Sequence, residues 1–92
     1  MNTQVTQRPL YRIAIEIKND WKDKKGYSNI YFGAKPYLEA MGALNNISED
    51  YGLDSGSSIV AYFLANAATW RGDTARRVKS ELKAMLKAHN GR

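Results

Sequence analysis

The stretch of residues 54–89 constrains the fold of this chain more than any other part of its sequence. Residues 54–70, DSGSSIVAYFLANAATW, place apolar side chains over most of a helical circumference. The polar positions form one narrow stripe: Ser58, Tyr62, Asn66 and Thr69. A helix that is apolar on nearly every side is typical of the buried centre of a bundle. The sequence therefore predicts a central helix at 55–70, then a corner at Gly72 and a further helix at 73–89.

Two interpretations compete for the segment that follows Pro9. Residues 11–17 alternate between apolar and polar, which is a strand pattern. A helix over 9–23 instead places five apolar side chains on one arc: Leu10, Ile13, Ala14, Ile17 and Trp21. We favour the helix, because it also accounts for the tryptophan and because proline is common in a first turn. This helix leaves Tyr11 and Ile15 together on its opposite face, where we predict a self-association surface of a homodimer.

A further helix is predicted at 36–50, opening at its proline. The segment 26–35 before it reads as an aromatic-rich loop. Its large aromatic residues are expected to pack against the core: Tyr27, Tyr31 and Phe32. The predicted fold class is therefore all-α, a small bundle of about four helices. We expect one helical domain over residues 1–92, with 1–8 flexible.

Composition narrows the classes of function. The 92-residue chain has no cysteine, which argues against a disulfide framework and a thiolate zinc site. No apolar run approaches the roughly 20 residues of a membrane span, so we expect no membrane partner. The net charge of +5 favours anionic partners such as nucleic acid or an acidic protein surface. Solubility alone is the competing explanation of this charge.

One side of the last predicted helix carries a row of basic residues that continues across the corner. The row consists of Arg71, Arg76, Lys79, Lys83 and Lys87. Like charges four residues apart repel by a few tenths of a kcal/mol, and no acidic residue shares the row. The alternative is a solvated face on which lysine is favoured by the helix dipole. We predict that the row contacts a partner protein or a nucleic acid, and that Arg77, beside it, pairs with Glu81.

The sequence shows no catalytic or metal-binding motif. His89 is the single histidine and there is no cysteine, so neither a nucleophile with its base nor a metal-ligand set can be built from these types. Residues 54–58, DSGSS, lack the pattern of a phosphate-binding loop and read as a helix N-cap. We expect no enzymatic activity, no metal and no cofactor. A site assembled only in an oligomer is the remaining alternative.

Two segments between residues 30 and 86, IYFGAKPYLEAM and YGLDSGSSIVAYFLANAATWRGDTARRVKSELKAML, resemble small accessory proteins of bacteriophages and prophages. The resemblance implies a genomic context and assigns no catalytic or binding residue. With the small size, it leads us to expect a cytoplasmic protein of the bacterial host cell. We expect it to bind a host protein or ribonucleoprotein complex, as host-takeover or counter-defence inhibitors of the anti-CRISPR type do. A small basic protein that binds DNA or RNA through its last helix is the alternative.

Overall fold

The computed structural model describes residues 8–22 and 30–90 of the chain. Over these residues it is mostly helical, which confirms the predicted small all-α fold with four helices. The α-helices are α1 (Leu10–Lys22), α2 (Lys35–Met41), α3 (Gly56–Ala65) and α4 (Asp73–Asn90). A 3-10 turn at Phe32–Ala34 leads into α2, and two short strands, β1 (Asp50–Tyr51) and β2 (Asp54–Ser55), precede α3. The predictions for residues 1–7, for Tyr27 and for the rest of 23–29 lie outside the described residues.

Helix α1 decides between the two interpretations of residues 11–17 in favour of the helix. Its five predicted core residues are all buried: Leu10, Ile13, Ala14, Ile17 and Trp21. Tyr11 and Ile15 are exposed on the other side, 37% and 54% respectively. The 3.6-residue period of the apolar side chains therefore outweighed the shorter alternation in the same stretch.

Helix α2 ends at Met41, so the prediction that it continues to residue 50 is wrong. The backbone carbonyls after α2 accept hydrogen bonds from the first turn of α1 instead. The amide N–H of Leu10 donates to the carbonyl of Asn45 (2.9 Å), and that of Tyr11 donates to Leu44 (3.0 Å). The first N–H groups of a helix have no partner within that helix. The segment after α2 supplies such partners to α1, and Leu44 in this non-helical segment is still buried.

The strands β1 and β2 form a small antiparallel hairpin that the sequence analysis did not predict. Asp50 pairs with Ser55 and Tyr51 with Asp54, which leaves Gly52 and Leu53 as the two-residue turn. Gly52 has a φ of 62°, which glycine adopts without steric cost. Tyr51, the residue after the predicted helix at 36–50, is exposed in the hairpin.

Helix α3 is capped at its start by the hydroxyl of Ser55, which accepts from the amide N–H of Ser58 (3.1 Å). The helix ends at Ala65, five residues before the predicted end at 70. The Asn66 side chain donates to the carbonyl of Tyr62 (2.9 Å), a local bond of the kind that competes with helix continuation. The turns that follow still bury Trp70, so this side chain reaches the core from outside the helix.

The aromatic loop does not pack as predicted. Tyr31 is 43% exposed and Phe32 is 76% exposed, whereas Ile30 and Ala34 on either side are buried. The two rings contact each other, with centroids 5.0 Å apart. The smaller aliphatic residues therefore anchor the loop, and the aromatic pair lies on the surface.

Candidate functional site

Trp70 packs the corner between α3 and α4 against the core. Its ring stacks on Trp21 of α1 (centroids 5.7 Å apart, interplanar angle 14°) and meets the edge of Phe63 of α3. Its indole Nε1 donates to Oδ2 of Asp20 (2.8 Å), so the polar atom of this buried ring has a partner. The backbone that leads to Arg71 is therefore fixed against two helices.

Gly72 turns the chain after Arg71. Its φ of 114° lies in the region that side-chain-bearing residues rarely adopt. Its carbonyl then accepts from the amide N–H of Arg76 (2.9 Å), in register with the first turn of α4. This geometry places Arg71 beside the first turns of α4, where the predicted basic row begins.

Lys79 has a structural role that the sequence did not predict. Its Nζ donates to the carbonyl oxygen of Trp70 (2.7 Å) and lies 5.9 Å from the Trp70 ring centroid. Burial is the main cause that lowers the pKa of Lys79, and the charges of Lys83 and Arg71 lower that pKa further. Lys79 therefore stabilises the corner through its hydrogen bond to Trp70. Its charge is also close enough to those of Lys83 and Arg71 to repel them.

Arg76 forms an ion pair with Asp73 at the start of α4. The two residues are three apart on the helix, so the pair is compatible with the absence of an acidic residue at four-residue spacing, but it does give Arg76 an acidic neighbour. Both side chains are exposed, and exposed pairs contribute only about 0–1 kcal/mol. Arg76 therefore remains available to a more highly charged partner.

The remaining cations of the row are exposed and have no ion pair with any acidic side chain that the structure describes: Arg71, Lys83 and Lys87. We call the full set of Arg71, Arg76, Lys79, Lys83 and Lys87 the basic corner. An open depression of about 330 Å³ lies at the end of the basic corner formed by Arg71, Arg76 and Lys79, and Trp70, Gly72 and two alanines also line it. The structure thus brings the predicted residues of the corner and the first turns of α4 to one concave surface.

Acidic side chains that would neutralise α4 are held on its other side. Arg8 bridges Glu81 (2.7 Å) and Glu16 (2.8 Å). Arg77 pairs with Glu16 of α1, and not with Glu81 as predicted. Burial raises the pKa of Glu16, but the hydrogen bonds from Arg77 and Arg8 outweigh it and lower this pKa overall. These carboxylates tie α1 to α4, and the basic corner keeps its charge.

A second depression adjoins the basic corner and was missed by the sequence analysis. It has a volume of about 270 Å³ and is lined by Tyr31, Ala65, Asn66, Ala68 and Thr69. Ala68 also lines the depression of the basic corner, so the two share a wall. The sequence signal that could have indicated this depression is the run Tyr31-Phe32-Gly33. Two adjacent aromatic residues before a glycine need not both face the core, so at least one of them could lie on the surface. We call Tyr31 and Phe32 the aromatic ledge.

No family model, curated protein or solved structure matches this chain. Within the residues the structure describes, no three His, Cys, Asp or Glu side chains are grouped as a metal site would require. None of the helices in that part of the chain combines the length and the apolar character that crossing a bilayer requires.

The exposed face of α1 yields a testable prediction about assembly. We expect the chain to form a dimer at high micromolar concentration, because a two-fold axis would join the small Tyr11 and Ile15 patches of two copies. Ile15→Glu should return it to the monomer, whereas Leu53→Glu at the fully exposed hairpin turn should not. Light scattering measures this directly. A wild-type monomer over the whole concentration range would refute the self-association surface.

Proposed function

We propose that this chain is a non-catalytic binding protein that docks on a negatively charged surface of a host macromolecular complex through the basic corner. One observation carries the proposal: Arg71, Lys83 and Lys87 are exposed in the basic corner with no acidic partner among the described residues. Mutually repelling charges cost free energy in the isolated protein. A polyanionic partner would remove that cost and add charge-assisted hydrogen bonds.

The cellular setting is proposed from the resemblance to phage and prophage accessory proteins. In that setting the protein acts in the cytoplasm of the bacterial host and inhibits a host complex, as takeover and counter-defence proteins do. A protein or a ribonucleoprotein complex is the expected target. The positive charge supports this proposal, because complementary charge accelerates encounter and selects partners by sign.

The test compares two variants that each lose three positive charges. The basic-corner variant carries Arg71→Gln, Lys83→Gln and Lys87→Gln, and it leaves Lys79 intact because that side chain braces Trp70. The control variant carries Arg12→Gln, Lys18→Gln and Lys35→Gln, which lie on α1 and α2 away from the corner. The basic-corner variant should fold like wild type, since each of its three exposed charges contributes less than about 1 kcal/mol. Circular dichroism establishes that the control variant, in which Lys18 and Lys35 are half-buried, is folded as well.

Each protein is immobilised and used to capture partners from bacterial lysate, with and without nuclease, and the captured complexes are quantified. We expect wild type and the control variant to retain the same complex, and the basic-corner variant to lose at least about 90% of it, because a desolvated charge pair is worth about 1.5 kcal/mol or more. Equal capture by all three proteins would overturn the proposal. So would the absence of any specifically captured complex.

A further inference from the structure

We propose that the anionic component bound by this chain is single-stranded nucleic acid, held across the basic corner and the aromatic ledge together. The inference rests on the proposed function, because it names the partner of the same surface. It adds a second half to that surface, in which unpaired bases contact Tyr31 and Phe32 while the phosphates contact the cations.

The phosphate half is the basic corner. Its depression opens to solvent between Arg71, Arg76 and Lys79. The row then continues along the exposed side of α4 to Lys83 and Lys87. A strand that follows this direction would meet successive cations, as the backbone does in proteins that bind single strands through a positively charged groove.

The base half is the aromatic ledge. Phe32 is 76% exposed, an unusual exposure for a phenylalanine. Its only described aromatic contact is with Tyr31, at a tilt of 56°, so neither ring face is buried in a stack. Aromatic faces on which bases stack are the recurring second element of single-strand binding surfaces. An exposed aromatic pair next to a cation cluster therefore fits bases better than it fits an acidic protein surface.

The two halves form one continuous surface. The depression beside Tyr31 shares Ala68 with the depression of the basic corner. Asn66 and Thr69 line the depression beside Tyr31 and provide polar side chains there for base edges. Gly33 permits this arrangement, since a Cβ at that position would lie 2.5 Å from the Tyr31 ring and 2.9 Å from Oδ1 of Asn66.

The ledge distinguishes a single strand from a duplex. Bases in a duplex are stacked on one another and are not free to stack on a protein ring, whereas unpaired bases are. A duplex would therefore contact the basic corner alone. Its affinity should depend on the cations and on salt, and should not depend on Phe32.

The test measures fluorescence anisotropy of the full chain with a labelled oligothymidylate of about 12 nucleotides, within the roughly 4–16 nucleotides that single-strand binding modules cover. A mixed-sequence duplex of the same length serves as the second probe. Phe32→Ala removes a ledge ring that is exposed and hence dispensable for folding. Tyr51→Ala is the matched control, because it removes an exposed ring from the hairpin.

We expect Phe32→Ala to weaken single-strand binding about fivefold or more, since stacking of one base on an aromatic ring is worth at least that factor. Tyr51→Ala should bind like wild type, and neither substitution should change duplex binding. For the basic-corner variant, the slope of log affinity against log salt should fall by about 2, at roughly 0.7 for each of three lost phosphate contacts.

Equal single-strand affinity of Phe32→Ala and wild type would overturn this inference, as would no measurable single-strand binding. The proposed function fails separately. If the oligonucleotide measurements overturn the inference while a nuclease-resistant host complex is captured by wild type and lost by the basic-corner variant, the docking surface stands and only the nucleic acid is refuted. If the basic-corner variant binds both the oligonucleotide and the host complex like wild type, the docking surface itself is refuted.

Discussion

Replacing Trp70 with alanine is expected to remove most of the free energy of unfolding at 25 °C. Trp70 is 2% exposed and joins α1 and α3 to the corner through Trp21 and Phe63. Truncating a core aromatic residue costs about 3–5 kcal/mol. Domains are stable by about 5–15 kcal/mol in total, and a chain of this size belongs near the lower end. The variant also leaves Asp20 without its indole donor.

Thermal melting followed by circular dichroism measures the effect. Trp70→Phe keeps a ring in the core but removes the indole N–H, so it should melt between wild type and Trp70→Ala. Tyr51→Ala is the surface control, since that ring is exposed in the hairpin, and it should melt close to wild type. A cooperative transition of Trp70→Ala within a few degrees of wild type would contradict the central role of this side chain.

The second large effect is expected at Gly56, the first residue of α3. A Cβ at this position would lie 2.7 Å from the carbonyl oxygen of Ile47 and 2.9 Å from that of Glu49. Both are backbone atoms, and the Gly56 amide N–H donates to the Glu49 carbonyl (2.7 Å), so the two segments cannot separate without losing that bond. Overpacking costs about 1–3 kcal/mol and a lost hydrogen bond about 0.5–1.5. We expect Gly56→Ala to lower the free energy of unfolding by about 2–4 kcal/mol.

Chemical denaturation of Gly56→Ala beside Gly42→Ala separates this clash from a general cost of replacing glycine. Gly42 is exposed and has helical backbone angles, and its nearest contact to a new Cβ would be 3.3 Å. Its free energy of unfolding should stay within about 1 kcal/mol of wild type. Equal stability of the two variants would show that the Gly56 contact is not as close as described.

Much of the fold follows from periodicity, and the parts that do not follow depend on distant partners. The buried face of α1 was predicted residue by residue, because a 13-residue amphipathic helix repeats its signal. The end of α2 was not predicted, since the carbonyls of Leu44 and Asn45 bond to α1, which lies more than thirty residues earlier. The residues around the end of α2 do not by themselves indicate these tertiary hydrogen bonds. The hairpin that follows is likewise too short for a pattern of alternation to reveal it.

The candidate site shows the same division. The cations of α4 were predicted from helical spacing, which depends only on the helix itself. The hydrogen bond from Lys79 to the Trp70 carbonyl was not predicted. It joins the two sides of the corner, so it depends on the orientation that the turn at Gly72 gives to α4. The exposure of Tyr31 and Phe32 was missed because size and apolarity favour burial on average. Only the packing of Ile30 and Ala34 decides which residues anchor that loop.

The most direct test of the central claim is amide chemical-shift mapping of the chain during titration with the 12-nucleotide single strand. The basic corner and the ledge predict shifts concentrated at residues 31–34, at 66–72 and on the exposed side of α4 up to Lys87. Resonances around Tyr11 and Ile15 of α1 and around Leu53 of the hairpin should stay in place. Shifts confined to α1 or to the hairpin, or no shifts at saturating oligonucleotide, would contradict the account.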